Sequence, residues 1–239
     1  MSAALFSAQN VLQDLQVQSD AEDAKNLQRF FKTGAGDYGE GDVFLGIRVP
    51  VLRKMVKHYR GIALAQSVAL LQSPYHEARL LALLIMVDSF QRGDAATQQA
   101  IYQAYLQHRK YVNNWDLVDS SAHHVVGAYL HGQEKSILIQ LAQSKILWDR
   151  RIAMIACFFD IKRGEFSSAV TIAELLLQDE HDLMHKAVGW MLREIGKRDL
   201  EVEIGFLQRH YQQMPRTMLR YAIEHFPESL RQAYLQGRV

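Results

Sequence analysis

Trp115-Asp116-Leu117-Val118-Asp119 is one of four pentads that recur through this chain, and their recurrence decides the fold. The others are Tyr75-His76-Glu77-Ala78-Arg79, Leu147-Trp148-Asp149-Arg150-Arg151 and Asp182-Leu183-Met184-His185-Lys186. Each leads into an apolar helical segment: 80–87, 122–130, 152–159 and 187–192. The last residues of the pentads are 40, 32 and 35 positions apart. Partner helices fall near 97–108, 136–143, 167–177 and 202–211, and 216–226 makes a final unit. A period in the thirties to forties built from two helices marks HEAT-like α-solenoids. The expected fold is all-α, a solenoid of helical pairs with a concave groove.

The remainder of the chain agrees. Residues 1–18 read as an amphipathic helix with Leu5, Val11, Leu12 and Leu15 on its apolar stripe, and 21–32 as a second with Leu27, Phe30 and Phe31. Between Thr33 and Asp42 lie four glycines, which predict a mobile loop; no strand precedes it, so it is no phosphate-binding fingerprint. Phe44-Leu45-Gly46-Ile47-Arg48-Val49-Pro50 then opens a helix carrying Arg53, Lys54, Lys57 and Arg60, the densest basic patch in the chain. The four prolines sit where helices start or connections turn, and strand-like alternation is essentially absent. We expect one domain over 1–239: N-terminal helices and the glycine-rich loop (1–60), a repeat body (61–226) and a C-terminal end (227–239).

Composition excludes several classes. Hydrophobic residues at 49% with 27 Lys+Arg against 26 Asp+Glu describe a folded, soluble chain. A net charge of +1 means that a nucleic-acid surface would require segregated charge. Cys157 is the single cysteine, which rules out an intrachain disulfide. There is no signal-peptide pattern and no membrane-spanning apolar run, so a reducing cytoplasm and no membrane partner are expected.

In the central pentad, Trp115 and Asp119 stand at i and i+4 and so share a helix face. Asn114 suits the N-cap, and Asp116 in the first turn suits the positive end of the helix dipole. Asp119 has no such structural task. Aligned pentads make Arg79, Asp119, Arg151 and Lys186 equivalent, with Arg216 and Arg220 near the same phase. Cations a repeat apart suit a phosphate backbone, whereas a carboxylate among them would repel it and so points to chemistry. Trp190, four residues after Lys186, adds a second indole. Trp148 falls at another helical phase and is expected to pack in the core. His181 and His185 have metal-ligand spacing but no evident third ligand, so no metal is expected. His123 and His124 read as half-buried helix residues, and Cys157 as a buried thiol.

Four blocks carry a resemblance: Phe44-Leu45-Gly46-Ile47-Arg48; Trp115-Asp-x-Val-Asp119; Leu147-Trp148-x-x-Arg151; and Lys186-Ala187-Val188-Gly189-Trp190-x-Leu192-Arg193-Glu194. In order and spacing they resemble the AlkD family of DNA glycosylases, HEAT-like-repeat enzymes that remove alkylated purines, over about residues 25–226. The resemblance implies an active site of Asp119, Trp115, Arg151 and Trp190. It implies hydrolysis of the N-glycosidic bond of cationic N3- and N7-alkylpurines such as 3-methyladenine and 7-methylguanine, during base excision repair. The implied partner is duplex DNA, held by Arg48, Arg53, Lys54, Lys57, Arg79, Arg151, Lys186, Arg216 and Arg220. No metal or organic cofactor is implied, and a monomer is expected. The N-terminal aromatic, a tyrosine in some members, corresponds to Phe30, with Tyr38 near enough to substitute. The glycine-rich loop is expected to close on the minor-groove side. The alternative reading is a non-catalytic helical-repeat protein that binds DNA or serves as a protein scaffold.

Overall fold

A computed structural model describes residues 6–239; Leu5 of the N-terminal stripe lies outside the described residues. The first compact unit spans Met1–Val125. It holds α1 (Ala8–Val17), α2 (Ala21–Phe30), α3 (Val49–His58), α4 (Leu64–Leu71), α5 (His76–Arg92), α6 (Ala95–His108) and α7 (Trp115–Asp119). The second spans Val126–Val239. It holds α8 (Ala128–Leu130), α9 (Ser136–Ala142), α10 (Leu147–Ala156), α11 (Phe158–Ile161), α12 (Ser167–Leu175), α13 (Asp182–Gly196), α14 (Leu200–His210), α15 (Arg216–Ala222) and α16 (Glu228–Leu235). The described residues form no strand beyond one isolated bridge, Val43 to Tyr75. No helix among them is long and apolar enough to cross a membrane.

Local chemistry sets the helix starts. Asp20, Asp94, Asn114 and Asp199 accept backbone N–H groups at the first turns of α2, α6, α7 and α14, which satisfies donors that a helix leaves open. Pro50 lies at the start of α3, and Pro215 and Pro227 immediately precede α15 and α16. In the first unit α5 is the central helix, with α3, α4, α6 and α7 against it. Its residues Ala78, Leu81, Ala82, Leu83, Ile85 and Met86 are fully or almost fully buried. In the second unit α13 has that place, against α10, α12, α14 and α15. Gly189 permits the close crossing of α13 and α15, because a β-carbon there would collide with the Met218 carbonyl.

Two expectations change in detail. The segment predicted as a continuous helix over 122–130 contains a π-helical turn, His123–Gly127. The glycine-rich stretch is a chain of hydrogen-bonded turns, not a loose loop: Asp37 N–H donates to Gly34, Gly39 N–H to Lys32, and Asp42 N–H to Gly39. The turn after it is fastened from below. The buried Glu77 carboxylate accepts N–H groups from Leu45, Gly46 and Ile47 at 2.9, 2.8 and 3.1 Å. Gly46 there has φ of 86°. A β-carbon would strike the Asp20 carbonyl and stand 2.7 Å from Ala24 N.

Gly46→Ala therefore combines left-handed strain with a backbone collision, and should cost more than about 2 kcal/mol in a denaturant titration. A second expectation concerns Glu203 on α14. Its carboxyl is buried against Gly196 with Oε1 lacking a hydrogen-bond partner. Burial pushes its pKa up to about 8, against the opposing charge of Arg193. The stability tied to its protonated form is complete below the ordinary glutamate range and is lost as pH rises through about 8. Glu203→Gln should raise Tm by a few degrees at mildly alkaline pH and change it little near pH 5.

Candidate active site

Asn114 begins the site. Its Oδ1 accepts the Trp115 amide at 2.8 Å and caps α7 as expected. Trp115 and Asp119, both half-buried, are the first and last residues of that five-residue helix. Aromatic rings pack around the indole. Phe31 is buried and stacks on Trp115 at 5.2 Å and 23°. Phe30, 64% exposed, meets it edge-on at 5.9 Å and 69°. Phe30, the residue matched by sequence, thus stands against Trp115, and Phe31 beside it was not anticipated. Behind the helix, Tyr105 is fully buried and bonds Ser121 at 3.0 Å. Its pKa is raised above the usual phenol range by burial and by the negative charge of Asp119, while the Ser121 hydrogen bond works the other way.

A polar network beneath the helix was also missed by the sequence reading. His76 is 1% exposed, with Nδ1 2.8 Å from Asp42 and Nε2 2.8 Å from Asp116. Asp42 additionally receives Arg79 and the Asn114 side-chain amide, the latter at 3.3 Å. Burial pushes the Asp42 carboxyl up, but the His76 hydrogen bond and the charges of Arg79 and His76 outweigh it, leaving its pKa below the ordinary value. A cleft of about 390 Å³ opens beside the network, lined among others by Phe31, Phe44, Ile47, His76 and Asp116. The missed signal was in α5: an apolar helix that starts His76-Glu77 has to bury those polar groups, and buried polar groups need partners.

Arg79 requires correction as a DNA-contact residue. It is only 5% exposed, and its guanidinium is committed to Asp42 and to the carbonyls of Ser73 and Pro74, each at 3.2 Å. The reason lies in the repeat register. The helices that carry the pentads have N-caps Tyr75, Asn114, Ile146 and His181. Counted from these, Arg79 corresponds to the buried Val118 in α7, and to Arg150 and His185 in α10 and α13. The last two likewise fold back on the connection before their own helix, Arg150 to Ser144 and Lys145 carbonyls at 3.1 Å and His185 to Asp179 at 2.5 Å. Asp119, Arg151 and Lys186 keep a common register, and Leu80 takes the place assigned to Arg79.

The other sequence-selected residues fall into distinct settings. Arg151 is 5% exposed and donates to the Leu183 carbonyl at 2.6 Å. Trp190 is half-buried, 5.6 Å from Phe158. Lys186 pairs with Asp182 at 2.7 Å. Arg48, on the surface, pairs with Asp23 at 2.8 Å. Arg53, Lys54 and Lys57 are exposed on α3, whereas Arg60 forks onto Asp88 at 2.8 and 3.1 Å. Arg216 is exposed but bonds the Leu235 carbonyl, and Arg220 is exposed. Trp148 is half-buried, so it is not a core side chain, and Tyr38 is half-buried in the glycine-rich turns. His123 is buried and His124 half-buried. His181 accepts the Leu183 amide at 3.1 Å, capping α13. Cys157 is buried as expected, and burial pushes its thiol up to about 12.

The setting of Arg79 makes a direct prediction. Arg79→Ala leaves the buried Asp42 charge short of a partner and should cost about 3 kcal/mol of stability by denaturation. Duplex affinity of the folded protein, measured by fluorescence anisotropy, should stay within about twofold, in contrast to the loss expected on removing a phosphate contact.

The chain was compared with known proteins. No curated protein matches it. Among solved structures it is similar to a predicted DNA alkylation repair enzyme from Enterococcus faecalis, with 19% identity and a TM-score of 0.68 over 88% of this chain and 98% of that one. At that identity the likeness establishes the all-helical repeat fold. The sequence model of the DNA alkylation repair enzyme family matches residues 11–226, nearly the whole chain. This protein belongs to the DNA alkylation repair enzyme family.

Proposed function

We propose that the protein is a DNA glycosylase acting on duplex DNA, hydrolysing the N-glycosidic bond of purines alkylated at N3 or N7. Such alkylation leaves the base cationic, so it departs as a neutral molecule and its bond is already weak. Water adds to C1′, the C1′–N bond breaks, and the products are free base, an abasic deoxyribose and a proton. The barrier that remains is the developing cation on the sugar. Asp119 stabilises it electrostatically and orients the water. Trp115 offers its π face to the same positive charge, worth roughly 0.5–2 kcal/mol.

The observation that carries this reading is the anchored α7 turn. It presents an indole and a carboxylate, both half-buried, on one short helix backed by Phe30 and Phe31. A carboxylate on the same short helix as a ring-packed indole, in a DNA repair family, suits an oxocarbenium-like sugar better than a phosphate. Arg151, as buried as Arg79 and donating to the Leu183 carbonyl, braces α10 against α13 in place of the phosphate contact expected of it. Arg53, Lys54 and Lys57 supply sequence-independent attraction for the backbone, supported by Arg48, Lys186, Arg216 and Arg220. These residues require no metal or organic cofactor for this step.

The test is base release from duplex DNA containing 7-methylguanine, comparing the native chain with Asp119→Asn. Release by the native chain should fall at least about tenfold in the variant. No release with salt-dependent DNA binding intact would make the protein a non-catalytic binder. Loss of both would leave a protein-interaction scaffold.

A further inference from the structure

His76 connects two carboxylates, and both of its ring nitrogens are 2.8 Å from an oxygen that, ionised, can only accept. With both carboxylates ionised, both nitrogens donate and the imidazole is a cation. Through Asp116 it holds the second residue of α7, whose other oxygen accepts the Leu117 amide at 2.9 Å. By a parallel route, Asn114 donates to Asp42 and accepts the Trp115 amide. The first three residues of α7 are thus tied by two paths to one buried carboxylate, Asp42. The rings repeat the pattern: His76 stacks on Phe44 at 4.4 Å and lies 5.0 Å from Phe31, the ring stacked on Trp115. A helix of five residues cannot hold its own orientation, because so short a segment never recovers the cost of nucleation.

We propose that His76 is a positioning residue for base release: as a cation clamped between Asp42 and Asp116, it fixes the angle at which Trp115 and Asp119 meet the sugar. The proposal rests on the glycosylase reading, and His76 acts through Asp116 and the aromatic stack, not on the substrate. The charged groups facing it are Asp42 from the glycine-rich turns, Asp116 from α7, and Arg79 and Glu77 from its own helix. Glu77 is occupied by three backbone N–H groups. Burial lowers the imidazole pKa, but the hydrogen bonds and charges of Asp116 and Asp42 more than reverse this, raising it to about 9. The clamp is complete below the ordinary histidine range, holds through neutral pH and opens as pH rises through about 9.

The test uses full-length His76→Gln, which retains a donor but can neither carry the charge nor bridge both carboxylates. Its kcat for 7-methylguanine release should fall about ten- to a hundredfold, with duplex affinity within about twofold. The alkaline limb of the native profile near pH 9 should vanish in the variant. Two readouts need no catalysis. Nitrogen NMR of the native protein should find both His76 ring nitrogens protonated at neutral pH. In a Trp148→Phe, Trp190→Phe background, Trp115 emission should shift to the red when His76→Gln is added. Native-like release by the folded variant overturns the proposal, as does an unprotonated ring nitrogen at neutral pH. Should the native chain release no base, the glycosylase reading fails by itself. The clamp is then decided by Trp115 emission: a red shift upholds it, and unchanged emission overturns it.

Discussion

The carboxylate of Asp42 is buried where a lone charge would be prohibitively costly, and its surroundings are arranged to compensate it. Arg79, His76 and Asn114 converge on it from α5 and from the residue capping α7. Two buried cations thus stand against the carboxylates of Asp42 and Asp116. Such a cluster adds little net stability over a hydrophobic equivalent, but it is intolerant of losing a member. That intolerance gives specificity: the glycine-rich turns, the start of α5 and the start of α7 are held to a single mutual arrangement.

This bears on function because α7 is so short. Longer helices in the same unit are oriented by their apolar faces, as α5 is by burial on nearly every side. Helix α7 buries only Leu117 and Val118. Its placement depends on hydrogen bonds at its N-terminus and on rings against Trp115. Polar interactions are directional where hydrophobic burial is not, so a polar anchor fixes the orientation of the half-buried Trp115 and Asp119 side chains.

The second unit uses related devices for other ends. Arg150 and His185 fold back on the connections before their helices, as Arg79 does, so these three side chains close their own helix starts. One residue further on, Arg151 and Lys186 share the register of Asp119. A single step of register, about 100° around a helix, therefore separates residues that close their own turn from Arg151, which reaches the neighbouring helix, and Lys186, which pairs with Asp182.

The sequence by itself determined the all-helical class, the helical-pair repeat and most helix starts, because apolar spacing and capping chemistry act over a few residues. It also marked Asp119 and Trp115, since i and i+4 on one helix is a local relation, and Cys157 as buried within an apolar run. Only the tertiary structure decided the fate of Arg79, whose partners Asp42 and Ser73 lie in separate segments, and the pairing of His76 with residues 34 and 40 positions away in the chain. It likewise turned a glycine-rich stretch that reads as loose into hydrogen-bonded turns ending in a buried carboxylate. A buried polar residue can be suspected from an apolar helix around it. Its partners cannot, because hydrogen bonding is settled by which segments packing brings within 3 Å.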